Sequence, residues 1–216
     1  MSTDGAADRL ILASASPARL ATLRGAGLWP EVVVSGVDES GITADSPAAL
    51  TERLAVLKAA AVADAVDRES LGRTVVVGCD SMLEVDGVAY GKPGSPESAI
   101  GRWHRMRGRS GVLHTGHHVI VRRGRLDAAR TAVASTTVHF AELSDAEIEA
   151  YVATGEPLQV AGAFTLDGLG GPFVTRIEGD PHNVVGISLP LLRRMLAELD
   201  VAWTSLWPAA DRAGPG

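Results

Sequence analysis

Cysteine is nearly absent. The 216-residue chain has one, Cys79, which excludes an internal disulfide and a zinc site of clustered thiolates and fits a reducing compartment, so a cytoplasmic location is expected. Aromatic residues make up only 4% of the chain, so the expected core is built from Ala, Val and Leu, with 24 glycines serving tight turns. No apolar run approaches the roughly 20 residues that span a bilayer. The opening MSTDGAADRL lacks the basic-then-apolar order of a secretory leader, so neither export nor a membrane partner is expected. Positive charge is not in excess either. A formal net charge of -6 does not suit a general nucleic-acid binder, which needs a basic face, so no nucleic-acid partner is expected and any phosphate site must be local. The chain also lacks a Walker GxxxxGK[ST] loop, a GxGxxG loop and any internal repeat.

What is present is a chain 46% hydrophobic, enough for one core or for two lobes sharing a cleft. Residues 9–206 read as a single α/β unit of two lobes, with loose polar or Gly/Pro/Ala-rich ends at 1–8 and 207–216. A short apolar strand at 10–13 leads to Ser16, which can cap a helix that begins at Pro17 and ends at Gly25 or Gly27. The same start recurs at Ser46-Pro47, opening a helix with an apolar stripe of Leu50, Leu54, Leu57 and Ala61 and an exit near 67–72. The β-branched run TVVVG at 74–78 reads as a strand covered on both faces. MLEV and VAY then flank Asp86-Gly87, a dipeptide suited to a two-residue hairpin turn. A third helix runs from Ser95-Pro96 through Trp103 and Met106 to Gly108, and strands are expected around 118–121 and 132–140. Ser144 caps a fourth helix through Tyr151. The glycine-rich AGAFTLDGLGG leads to a strand at 173–177 and a closing helix at 190–199. The alternation of strands and helices indicates an α/β sheet protein.

Asp80 follows the buried-looking strand, where ligands collect in open α/β sheets, although an aspartate there also suits a turn. Read without a bulge, the Asp86-Gly87 hairpin sets Ser81 opposite Lys92 and returns a lysine, held between Gly91 and Pro93, to the neighbourhood of Asp80. Lys58, four residues after Leu54, lies with the apolar stripe of its helix, which fits either snorkelling or a lysine drawn to phosphate. Ser14 and Ser16 offer hydroxyls beside the unpaired N–H groups of a helix start, and Arg19 opposes the helix dipole there unless an anion faces it. Glu39 can supply a second carboxylate for a divalent ion. Cys79 reads as a small buried hydrophobe. His117 and His118 point to opposite faces of a strand, so with His114 they make a poor zinc site.

Together, LASASPARLATLRGAGL, VDES, RLAVLKA, VVVGCDSMLEVDG, GKP, GEPLQVAGAFTLDGLGG and IEGDPHNVVG resemble the Maf family of nucleotide pyrophosphatases over about 10–199. The resemblance implies an α/β fold like that of the inosine triphosphate pyrophosphatases: a mixed sheet flanked by helices, in two lobes with a central cleft. It implies hydrolysis of a nucleoside triphosphate to the monophosphate and pyrophosphate, with Mg²⁺ or Mn²⁺ held by Asp80 and Glu39. Asp80, Lys58, Lys92 and Glu39 become the catalytic set, and Ser14, Ser16, Arg19 and Ser81 the substrate-binding set. A homodimer stays open, as do house-cleaning and division-arrest roles and the rival reading of a nucleotide-binding regulator of septum formation without turnover. Two positions depart from the family pattern. Ala18 replaces the first arginine of the SPRR run, and Asp167 replaces the glutamine of the AGAYGIQG segment. With Ser81 these are the specificity positions. An ionised aspartate only accepts hydrogen bonds, so a donor-rich base edge such as that of guanine is expected. A related branch acting on 7-methyl-GTP also lacks both residues, with an acidic one in place of the glutamine.

Overall fold

The computed structural model describes residues 8–66, 72–124 and 126–208. Most of the expected loose ends and of the second helix's exit at 67–72 lie outside the described residues; of the ends, Asp8 is ion-paired with Arg73 and Trp207 Nε1 donates to the Ala26 carbonyl. Helices α1 (Pro17–Gly25), α2 (Pro47–Ala65) and α3 (Pro96–Met106) begin alike: Ser16, Ser46 and Ser95 each accept from a backbone N–H in the first turn, with proline in the first helical position. That satisfies one orphan donor and spends a residue with no N–H to orphan. Helix α4 (Asp145–Ala153) starts on a capping box of Ser144 and Glu147. Two further helices close the chain, α5 (Pro181–Val185), capped by Asp180, and α6 (Leu189–Glu198), capped by Ser188.

Seven strands form one mixed sheet. They are β1 (Arg9–Ala13), β2 (Glu31–Val32), β3 (Thr74–Val85), β4 (Val88–Tyr90), β5 (Ser110–Arg123), β6 (Leu126–Phe140) and β7 (Val174–Glu178). Their order is β2-β1-β3-β5-β6-β7, with β4 also on β3. β1 runs parallel to β2 and β3, and the remaining pairings are antiparallel. The β3–β4 turn has positive φ at both Asp86 (52°) and Gly87 (77°), the type I′ geometry that matches strand twist. β5 and β6 extend well beyond the expected 118–121 and 132–140, because paired polar and glycine positions carry the ladder where the apolar pattern stops.

Side chains alternate along β3. Val75, Val77 and Cys79 join Leu12, Leu23, Leu192 and Met195 in the layer under α1 and α6, whereas Val76 packs with Ala59, Val62 and Ala63 of α2. A separate cluster beyond Leu83 gathers Trp103, Phe140, Tyr151 and Phe164, with Phe173 against it. Their rings meet edge to face at 5.0 Å between Phe140 and Phe164 and at 5.7 Å between Trp103 and Tyr151. The buried aromatic residues are thus concentrated in one place, and the aliphatic core expected from composition describes the other clusters. Among the described residues no helix is long and apolar enough to cross a membrane.

Candidate active site

The edge of β3 away from β5 is paired twice. β1 covers it through Ala13↔Gly78, and β4 takes it up again at Leu83↔Tyr90. Between them, Cys79, Asp80, Ser81 and Met82 have no strand on that edge, while β5 pairs them continuously on the other. β1 runs parallel to β3 and β4 antiparallel, so the carboxyl ends of both strands face this gap. Ser14 enters it from one side, and Gly91-Lys92 from the other. The hairpin register agrees with the expected one, ending two residues short of Ser81 and Lys92.

Asp80 has the parity of Val76 and Gly78, so its carboxylate is directed to the α2 side of the sheet. There Lys58 Nζ stands 2.5 Å from Asp80 Oδ1 and 2.7 Å from Glu39 Oε1. Glu39 lies on the exposed segment after β2. The helix can come this close because two glycines lie beneath it. A Cβ on Gly78 would stand 2.5 Å from the Ala55 carbonyl oxygen, and one on Gly116, the partner of Asp80 on β5, would run into the backbone of Thr51 and Glu52. Asp80 is 8% exposed. Burial raises its pKa above the usual carboxylate value, against the opposing pull of the Lys58 and Arg19 charges.

On the opposite face Arg19 is buried, and its guanidinium is largely committed to the protein. Nε donates to the Gly186 carbonyl at 2.8 Å, Nη1 to Ser14 Oγ and the Cys79 carbonyl at 3.0 Å each, and Nη2 to Ser81 Oγ at 2.9 Å. These use four of its five N–H groups. Ser81 Oγ also meets Thr115 Oγ1 at 2.9 Å, which donates to the Asn183 carbonyl at 3.2 Å. Arg19 therefore straddles Asp80, tying both neighbours of that residue to the end of α5. Thr115 and Gly186 went unread in the sequence. The usable signal was Asp180-Pro181, which repeats the cap-then-proline start of the other helices.

The other expected residues fall as follows. Ser14 Oγ also accepts from the Ser16 backbone at 3.2 Å, and Ser16 caps α1. Ala18 is half-buried on α1, Lys92 is exposed just after β4, and Asp167 is exposed in the loop after Ala163. Arg102 donates to the carbonyls of Gly91 and Lys92, which fixes the backbone that carries Lys92. Cys79 is fully buried, and burial pushes its thiol up to about 11, as suits an inert core residue. The histidines diverge: His117 accepts from the Ser188 N–H at 2.9 Å, His118 meets Thr131 and His114 meets Glu84 and Ser135. Among the described residues no three His, Cys, Asp or Glu side chains form a metal cage. Asp80 and Glu39, both within 2.7 Å of the same ammonium, are a donor set of another kind: two hard carboxylates that suit a divalent ion completed by phosphate oxygens and water.

Residues 9–199 match the family model described as "Maf-like protein". The chain is 60% identical over 208 residues to the nucleoside triphosphate pyrophosphatase of Salinispora tropica, covering 96% of this chain and 91% of that one. It is 55% identical to the protein of the same name from Cutibacterium acnes, over 91% of this chain and 93% of that one. For the one from Streptomyces coelicolor the identity is 54%, over 94% and 96%. Among solved structures, the Staphylococcus aureus Ham1 protein overlaps 63% of this chain and 72% of its own, at 19% identity and a TM-score of 0.36. The family match spans the gap, α2 and the glycine-rich loop alike, and the chain belongs to the Maf-like family.

Proposed function

We propose that this chain hydrolyses nucleoside triphosphates to the monophosphate and pyrophosphate in the gap between β1 and β4. The observation that carries the reading is the convergence of Asp80, Glu39 and Lys58 on a break in sheet pairing. The names of the relatives point the same way. A water oxygen attacks the α-phosphorus, the bond from that phosphorus to the bridging oxygen breaks, and pyrophosphate leaves. Asp80 takes the water's proton, or would hold a divalent ion beside it. Lys58 and Lys92 offer positive charge to the phosphates, and Ser14, Ser16 and Arg19 frame the start of α1 where a phosphate can meet backbone N–H groups. A Mg²⁺ or Mn²⁺ held by Asp80 and Glu39 would supply charge neutralisation at the phosphates when bound. Asp167, an acceptor, favours a base edge rich in N–H donors, as in guanine or a modified guanine, over thymine and uracil. The lone buried Cys79 suits work in the reducing cytoplasm.

The test is pyrophosphate release from a panel of common and modified nucleotides with Mg²⁺ or Mn²⁺. Turnover lost in Asp80→Asn supports the reading. Binding without turnover in the wild type refutes it and leaves a nucleotide-binding protein.

A further inference from the structure

The glycine-rich loop after Ala163 is built around one carboxylate, that of Glu156, which lies outside the gap. Its Oε1 accepts from Tyr151 Oη at 3.1 Å, Thr165 Oγ1 at 2.5 Å and the Gly170 N–H at 3.2 Å. Its Oε2 accepts from the Leu169 N–H at 3.0 Å. Thr165 is held a second time, its N–H donating to Tyr151 Oη at 3.2 Å. The sequence LDGLGG fits this centre. A Cβ on Gly168 would lie 2.6 Å from Glu156 Oε2, and one on Gly170 would collide with Tyr151 Oη and the Thr165 carbonyl. The carboxylate therefore occupies the room that the missing side chain of Gly168 leaves, and its partners Tyr151 and Thr165 fill that of Gly170. Burial opposes ionisation of Glu156, and the bonds from Thr165, Leu169, Tyr151 and Gly170 together outweigh it, holding its pKa below the usual value.

The front of the loop is fixed beside the gap. The Gly162 N–H donates to the Gly91 carbonyl at 3.1 Å, next to Lys92, and Trp103 Nε1 donates to the Ala163 carbonyl at 2.8 Å. Between these anchors and the Glu156 cradle the apex presents Asp167 and Leu169, the latter 58% exposed. An acceptor-only carboxylate beside an exposed apolar side chain suits a flat heterocycle with N–H donors on its edge.

We propose that Glu156 is a positioning residue for nucleobase selection: its carboxylate fixes the loop that holds Asp167 and Leu169 toward the substrate's base. The assay rests on the pyrophosphatase reading. A second readout, amide hydrogen exchange, does not.

The experiment compares wild type, Glu156→Gln, Glu156→Ala, Asp167→Gln and the double variant Glu156→Ala/Asp167→Gln. In Glu156→Ala, amides at 165–170 should exchange at least about tenfold faster while those of β3 are unchanged. KM for the preferred triphosphate should rise about tenfold with kcat within about threefold, and discrimination against dTTP should shrink. Glu156→Gln, which keeps an acceptor oxygen, should recover part of both effects. In the Asp167→Gln background Glu156→Ala should cost less than alone, because it acts through a residue already changed. Unchanged exchange at 165–170 overturns the proposal. So does loosened exchange with an unaltered nucleotide ratio, which would make Glu156 structural only. Absence of pyrophosphate release in the wild type sinks the activity reading instead, and the exchange result then still decides whether Glu156 holds the loop.

Discussion

Gly78→Ala offers a direct test of how the fold makes the site. The added Cβ would stand 2.5 Å from the Ala55 carbonyl oxygen and 2.8 Å from both N and Cβ of Ala59, where ordinary contact is 3.4–4 Å. The obstacles are mostly backbone, so no rotamer change relieves them, and α2 has to rise from the sheet by about 1 Å. Overpacking of this kind costs about 1–3 kcal/mol. In a chain of this size each kcal/mol is roughly 2–4 °C of Tm, so a fall of roughly 2–12 °C is expected. Lys58 adjoins Ala59, and the same displacement carries its backbone away from Asp80. Misplacement by about 1 Å can cost on the order of 10²-fold, and the long lysine stem absorbs part of it, so kcat should fall about 10- to 100-fold. Pyrophosphate release and thermal unfolding give both numbers. Val76→Ala, on the same face but making a cavity instead of a clash, should lower Tm by a similar amount with kcat nearly intact. Wild-type Tm and kcat in Gly78→Ala would refute the close seating of α2 on the sheet. An equal loss of activity in Val76→Ala would show that stability, and not the placement of Lys58, is being measured.

Other perturbations separate charge from packing. Asp80→Asn should lower turnover by about 10²- to 10⁴-fold; because burial disfavours the ionised form, Tm at neutral pH should hold or rise, and a clear fall would contradict this. Lys92→Ala should raise KM with no change in Tm, since Lys92 is exposed, whereas Lys58→Ala should lower both activity and Tm by leaving the Asp80 and Glu39 carboxylates without their shared cation. His117 is buried and its pKa is lowered to about 4, chiefly by burial. The unfolded chain therefore binds the extra proton first, and the stability present above the unfolded value near 6.5 is lost as pH falls toward 4, by up to roughly 3 kcal/mol. His117→Gln, which keeps an acceptor for the Ser188 N–H, should flatten unfolding-versus-pH curves in that window, and an unchanged slope would exclude His117 as the source.

Helix starts and the Asp86-Gly87 turn were legible because each depends on neighbours in sequence: a serine oxygen reaches an N–H three residues on, and two positive φ values need only two tolerant residues. Lys58 was legible through the stripe it shares with Leu54, and Lys92 through the hairpin register. The gap was not, since it depends on where β1 stops against β3, a parallel pairing between segments about sixty residues apart. The service of Gly78 and Gly116 was equally hidden. In the sequence they are interruptions of a strand, and only the packed helix shows that a Cβ has nowhere to go. Arg19 was legible as a residue placed for an anion, but its protein partners were not. Its place against the helix dipole suggested an anion, while the structure gives most of its donors to Gly186, Cys79, Ser14 and Ser81.

That last point follows from the gap itself. A strand edge left open inside a sheet exposes carbonyl and N–H groups that must find partners. Here the Cys79 carbonyl finds Arg19, and the Ser81 hydroxyl finds Arg19 and Thr115. The break is therefore lined by side chains that also complete the sheet's hydrogen bonding. Removing Arg19 would leave buried acceptors without donors, at about 1–3 kcal/mol each, before any contact with substrate was lost. Changes at Arg19, Ser81 and Thr115 are expected to lower stability, and any change in turnover there is to be read together with it. Lys92 and Asp167 are exposed, so their substitution is expected to move kinetics with little change in stability, whereas Glu39, paired with Lys58, should move both.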